Sequence, residues 1–186
     1  MSIILTENDI AIAYAVLKHK RQGTIYHKDF MNAAEEYGLL GEFKFQEAHL
    51  IEELEEFRTI EKWIIRYVGQ YPSVVEDFKR FFPNDIQDTK IDRLNLKMAD
   101  VQSMLKAIRK AHLEWEALTE KCISENIKKC DSPVLRLMLD DMQRDQNNAV
   151  LLTERRWMFG NAVDWDMTVM MPEQQDEFEK YTEIKK

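Results

Sequence analysis

Helix breakers are scarce in this sequence: 186 residues contain five glycines and four prolines. Strong helix formers (Leu, Glu, Lys, Met, Ala) fill the space, so the chain reads as all-α. Cysteine is scarce too. Cys122 and Cys130 would lie about 12 Å apart along a continuous helix, beyond disulfide reach, and neither sits in a Cys-x-x-Cys or Cys/His pattern. A disulfide scaffold and a zinc finger are thereby excluded. No apolar run approaches the roughly 20 residues of a membrane span. The opening MSIILTENDI has no basic segment before its apolar residues and no small-residue cleavage site, so no signal peptide is read there and a cytoplasmic location is expected. Positive charge is in deficit, 26 Lys and Arg against 34 Asp and Glu, for a net charge of -8. That balance opposes nucleic-acid binding, which depends on cationic side chains neutralising phosphates. The one basic run, Lys18-His19-Lys20-Arg21, reads as a solvated helix end. Gly-rich phosphate loops, GxSxG and catalytic Cys/His spacings are missing as well.

What is present is helical periodicity over the length of one domain. Thr6-Glu7-Asn8-Asp9 forms an N-cap with acids in the first turn, and Ile10, Tyr14 and Leu17 follow at helical spacing. Gly23 is expected to end or interrupt this helix, with a short second pattern from His27 to Tyr37 stopping at Gly38. From Phe45 to Tyr71, Leu50, Leu54, Phe57, Ile64 and Val68 form one stripe, widened by Ile60 and Tyr67 and closed by Pro72. A further line, Leu94, Met98, Val101, Leu105, Ile108, His112, Trp115, Thr119, Cys122, alternates steps of four and three. Ser132-Pro133 then supplies an N-cap and a first-turn proline for a last helix that runs to about Phe159. The expected organisation is a single helical domain: an N-terminal hairpin over 6–71, a crossover over 72–90 bearing Phe78, Phe81 and Phe82, a C-terminal hairpin over 91–159, and a tail over 160–186 that docks in part and frays at its end.

The segment Leu105 to Trp157 carries a resemblance. Two long amphipathic helices folded back on each other, with acids and a histidine among inward positions, resemble the second half of a ferritin-like bundle, in which two hairpins are joined by one crossover. MLDDMQRDQNNAVLL is similar to the final metal helix of rubrerythrin-like sequences, whose acid-x-x-His falls on Asp145 and Asn148. The resemblance implies a ferritin-like four-helix bundle with one crossover connection, extra short helices and a dimetal site holding iron or manganese, degenerate in this chain. No Glu-x-x-His occurs anywhere, the ligand acid of the third helix falls on Ala111, and the first helix has no acid between Asp9 and Asp29. Matched position by position, the second helix supplies Glu53 for the family's acid and Glu56 for its histidine.

The candidate metal ligands are therefore Glu53, Glu56, His112, Glu116 and Asp145, with His49 and Asn148 as weaker partners and Glu61 as a second interior acid. His112 falls on the core line with Glu116 one turn on, and Asp145 falls among Met138, Met142, Ala149 and Leu152. The alternatives are a hydrogen-bonded core histidine and a buried Asp paired with a base. Two functions remain open: a ferritin-like bundle with an unusual or degenerate metal site, and a non-catalytic interaction module acting as a homo-oligomer or on a protein partner. A helix-turn-helix-like unit over 24–43 is a third.

Overall fold

The computed structural model describes residues 5–69 and 96–183. Among these the protein is all-helical, without a strand: α1 Glu7–Glu36, α2 Leu40–Val68, α3 Val101–Lys129, α4 Pro133–Ala162 and α5 Met167–Glu183. No helix among the described residues is long and apolar enough to cross a membrane.

Local chemistry sets the helix ends. The Thr6 hydroxyl accepts from the Asp9 N–H and the Asp9 carboxylate accepts from the Thr6 N–H, both at 3.1 Å, a reciprocal cap. Asp9 also accepts from the backbone N–H groups of Asp131 and Ser132 at 2.9 Å, which pins the start of α1 to the turn between α3 and α4. At that turn the Ser132 hydroxyl caps α4 and Pro133 stands in its first turn. Gly69 closes α2 in the left-handed region, at φ +79.

Side-chain pairing gives the helix directions. Residues rise along α1 as they fall along α2 (Lys20 to Glu53, His27 to Gln46) and along α3 (Asn8 to Lys129, His19 to Thr119). α3 and α4 are likewise antiparallel, Glu116 meeting Gln146 and Arg109 meeting Arg156. α2 and α3 run the same way, since Glu42 meets Arg109 and Gln46 meets His112. The end of α2 and the start of α3 therefore lie at opposite ends of the bundle. Close packing joins α1 to α2, α3 to α4, α1 to α3 and α5 to α2, whereas α2 and α4 meet through long side chains, Arg156 reaching Glu42 and Phe45.

The interior divides into three layers. One end is an apolar core that includes Ile12, Leu17, Ile60, Ile64, Ile123, Leu135 and Leu139. The other is built from Phe30, Leu39, Met104, Leu105, Ile108, Trp165 and Met170. Between them lies a buried polar layer, with Lys20, His27, Glu42, Gln46, His49, Glu53, Arg109, His112, Glu116, Gln146 and Arg156 all inside. Each apolar end contributes hydrophobic stabilisation in proportion to the area it buries; the polar layer is held by the hydrogen bonds and ion pairs that most of its groups make with one another.

This layer is where the structure departs from the sequence-based expectations. Gly23 interrupts nothing, and α1 is one helix of 30 residues. Residues 24–36 are its second half and residue 40 begins an antiparallel partner, so no helix-turn-helix unit forms over 24–43. In α2 the inward face runs through Phe45, Gln46, His49 and Glu53 rather than Leu50 and Leu54. In α4 it runs through Leu139, Met142, Gln146 and Thr153; Met142 is inward as expected, whereas Leu139, Gln146 and Thr153 each stand one position on from the expected Met138, Asp145 and Leu152. Lys18 to Arg21 is no solvated helix end, because Lys20 is buried. In the tail a helix, α5, forms from Met167 to Glu183, and the chain end expected to fray lies outside the described residues. The expected crossover over 72–90, with Pro72 and its aromatic residues, lies outside the described residues.

α5 docks on the start of α2. The Glu42 N–H donates to Gln174 Oε1 at 2.7 Å, and a Cβ on Gly41 would lie 2.2 Å from the Gln174 carbonyl oxygen. A backbone atom cannot give way as a side chain would, so Gly41→Ala should push α5 off and cost about 1–3 kcal/mol. Urea denaturation should show that loss together with faster proteolysis within α5; parent-like stability and protection would contradict the docking.

Candidate metal centre

The chain has four histidines, and three of them converge on the middle of the bundle. His27 comes from α1, His49 from α2, and His112 with Glu116 from α3; one ligand atom of each lies within 4.8 Å of all the others, and all four residues are buried. His112 and Glu116 are four apart and so share a helix face, with Nε2 to Oε1 at 2.7 Å. Glu116 Oε1 also lies 3.7 Å from His49 Nδ1 and 3.9 Å from His27 Nε2. The His27 and His49 rings stack at 5.6 Å, and His112 stands edge-on to both, at 5.0 and 4.9 Å. The fourth ring, His19, stacks on Trp115 at 4.5 Å and meets the Thr119 hydroxyl, outside the cluster.

Gln46 holds two of these rings. Its amide nitrogen donates to Glu42 Oε1 at 2.8 Å and to His112 Nδ1 at 2.9 Å, and its carbonyl oxygen accepts from His27 Nδ1 at 2.9 Å. This pattern assigns the tautomers: His112 carries its proton on Nε2, shared with Glu116, and His27 carries its proton on Nδ1. His27 Nε2 is thereby left as a bare, fully buried lone pair without a hydrogen-bond partner, directed into the cluster. Unpaired acceptors of this kind are costly unless something binds them.

The electrostatics follow from burial opposed by partners. Burial lowers His27 to about 4, helped by His112 and resisted by Glu116. Burial lowers His19 to about 4 as well, and takes His49 well below its ordinary value. Burial would raise Glu116, but the hydrogen bond and charge of His112, with His27 and His49 beyond, outweigh it and hold the carboxyl well below the usual range. Neutral imidazoles facing an ionised carboxylate are the protonation states that metal coordination requires.

Beside the cluster lies a second group. Lys20 Nζ is 3.1 Å from Glu53 Oε1, forms an ion pair with Glu56, and reaches Gln146 Oε1 at 3.4 Å. One ammonium cannot neutralise two carboxylates. Burial, with Glu56 and Glu116 adding to it against Lys20, pushes Glu53 up to about 8, so at neutral pH it keeps its proton; burial raises Glu56 as well, against Lys20. Gly23 makes room for this arrangement, since a Cβ there would lie 2.6 Å from Glu53 Oε2. Gln146 ties the two groups together, donating through Nε2 to Glu116.

A cavity of about 370 Å³ opens between α2 and α4, beside Glu116 of α3. His49, Glu53 and Glu116 lie at its buried side, Glu52, Glu55 and Asp145 at its exposed rim, and Tyr181 of α5 at its edge.

Of the candidates read from the sequence, His112, Glu116 and His49 come together in the histidine cluster. Glu53 and Glu56 sit around Lys20. Asp145 and Asn148 are exposed on the cavity wall, and Glu61 is half-exposed, so none of the three takes the interior position expected of it. His27, Lys20, Gln46 and Gln146 were missed. The available signal was the count: three of the chain's four histidines fall on the inward faces of three long helices.

No protein-family model matches the chain, and no curated protein matches it in sequence.

The shifted groups set a pH dependence for the metal-free protein. His19, His27 and His49 are lowered in the fold, so the unfolded chain takes up more protons, and their contribution is full above about 6.5 and lost as the pH falls toward 4. Glu53 is raised, so its contribution is full below the ordinary carboxylate range and lost as the pH rises to about 8. Stability should therefore peak near pH 6.5, where the three rings are neutral and Glu53 still holds its proton. Urea unfolding between pH 4.5 and 8 measures this; stability rising steadily as the pH drops below about 6 would contradict the buried neutral rings.

Proposed function

We propose that this chain is a metal-binding protein of the ferritin-like type whose centre holds one divalent cation between His27, His49, His112 and Glu116. The observation that carries the reading is the convergence of four buried ligand atoms from three helices within 4.8 Å, with a bare His27 nitrogen among them. Three imidazoles and one carboxylate suit borderline cations such as iron(II) or zinc(II), with manganese(II) next, and do not suit magnesium or calcium, which prefer oxygen. A ferritin-like topology is supported by α2 and α3 running in the same direction, which places the end of one and the start of the other at opposite ends of the bundle.

The residues have distinct duties in this reading. His27 would offer Nε2 with its ring held by Gln46, and Glu116 a carboxylate oxygen; His112 would coordinate through Nε2 as a neutral ring once its proton moves to Nδ1, where the Gln46 amide turns its oxygen to accept it. His49 and Glu116 belong to the cluster and also line the cavity, so the cavity is the side from which a small molecule reaches the centre. A bound cation supplies Lewis acidity, or electron transfer if it is iron, to whatever enters there. A second reading, a non-catalytic interaction module, is favoured by the outer face of α3 and α4, where Leu118, Leu151 and Met158 are more than half exposed.

Metal analysis of untagged protein, followed by equilibrium dialysis against iron(II) or zinc(II), separates the two. About one tightly held ion per chain is expected, with His49→Ala and His112→Ala releasing it and Asp145→Asn keeping it. Gln46→Ala, which frees the His27 ring, should weaken binding about 10–100-fold without removing a ligand. Absence of stoichiometric metal, or retention of it by His112→Ala, would leave the interaction module as the better account.

A further inference from the structure

Lys20 is a buried ammonium whose polar neighbours are oxygens from two other helices. Glu53 Oε1 lies 3.1 Å from its Nζ and Gln146 Oε1 3.4 Å, and Glu56 completes the set in direct ion pairing. Two carboxylates and an amide oxygen are the donors that a hard divalent cation takes. They also match its charge, which a lysine does not: with one positive charge against two carboxyls, Glu53 is left with a buried Oε2 that has no partner. The position is fixed from the α1 side as well. Gly23, three residues after Lys20 and so on the same face, leaves the room in which the Glu53 carboxylate lies against α1. The histidine cluster is a direct neighbour, since Gln146 accepts from Lys20 with one end of its amide and donates to Glu116 with the other.

We propose that Lys20 fills a second cation site, formed by Glu53, Glu56 and Gln146, and so limits the polar layer to a single exchangeable metal ion. A mobile ion would be redundant where a tethered ammonium already stands, and an ammonium cannot exchange, accept a ligand or change valence. Glu53 and Glu56 also line the cavity, so their oxygens have a route to solvent once the lysine is gone.

The test is manganese(II) binding by the full-length chain, read by equilibrium dialysis with metal analysis and by electron paramagnetic resonance, beside circular dichroism to confirm folding. Lys20→Ala removes the charge and opens the space; Lys20→Met removes the charge and keeps the space filled. Lys20→Ala should bind one manganese ion more per chain than the parent, Lys20→Met should bind none more, and Glu53→Gln added to Lys20→Ala should abolish the extra ion. A folded Lys20→Ala with parental stoichiometry overturns the proposal, as does an equal gain by Lys20→Met or an extra ion indifferent to Glu53→Gln. A Lys20→Ala chain that stays unfolded with manganese in the refolding buffer overturns it too, because the ion should restore the missing charge. Failure of the histidine centre is separable: a parent without metal whose Lys20→Ala variant takes up one ion would sink that reading and leave this one standing.

Discussion

A carboxylate buried in the middle of a helical bundle has to be neutralised by groups brought from other helices, and this protein buries three in one layer. Glu42, Glu53 and Glu116 are each at most about 5% exposed. Left alone, any of them would cost several kcal/mol of desolvation. Glu42 is answered by Arg109 and Arg156, which hold it down to about 2 against burial; Glu53 by Lys20; Glu116 by His112 and Gln146. These partners come from α1, α3 and α4, so every long helix is held in register by charge. The apolar ends then need only to pack: the polar layer specifies which arrangement forms, and the ends supply most of the favourable free energy.

The long helices were legible in the sequence where their ends are chemically marked, by the Thr6 and Asp9 cap, the Gly38 turn and the Ser132-Pro133 start, although α1 was read as two pieces parted at Gly23. Their inward faces were legible only where those faces are apolar. Leu105, Ile108, His112, Trp115 and Thr119 lie on the line that periodicity drew, and all are buried. In α4 periodicity chose Asp145, because Met138 and Ala149 share its stripe, whereas the inward side chain is Gln146, whose amide finds partners on α1 and α3. A hydrophobic pattern cannot register a residue buried for its hydrogen bonds. The same blindness made Lys20 a surface residue and Gly23 a helix end. A glycine in mid-helix looks like a break until the Glu53 carboxylate it accommodates is seen.

The site was legible in part for a related reason. His112 and Glu116 are neighbours in sequence as well as in space, so their spacing could be read. His27 and His49 reach them only through the antiparallel pairing of α1 with α2 and α3, which no local pattern encodes. A resemblance to dimetal bundles pointed to acids four helices wide, and the structure instead gathers imidazoles at one point and a lysine at the next.

α5 bears on all of this from outside the four long helices. Glu173 and Glu177 pair with Arg109 and Arg156, while Gln174 reaches the start of α2. Without α5, two guanidiniums would face one carboxylate across the interior. The helix therefore works as an electrostatic latch: its detachment leaves uncompensated positive potential a turn away from the histidines, where an arriving cation would meet repulsion. Occupancy of the centre and closure of the C-terminal helix would then be thermodynamically linked, each favouring the other by the same coupling free energy, although no side chain of α5 belongs to the cluster.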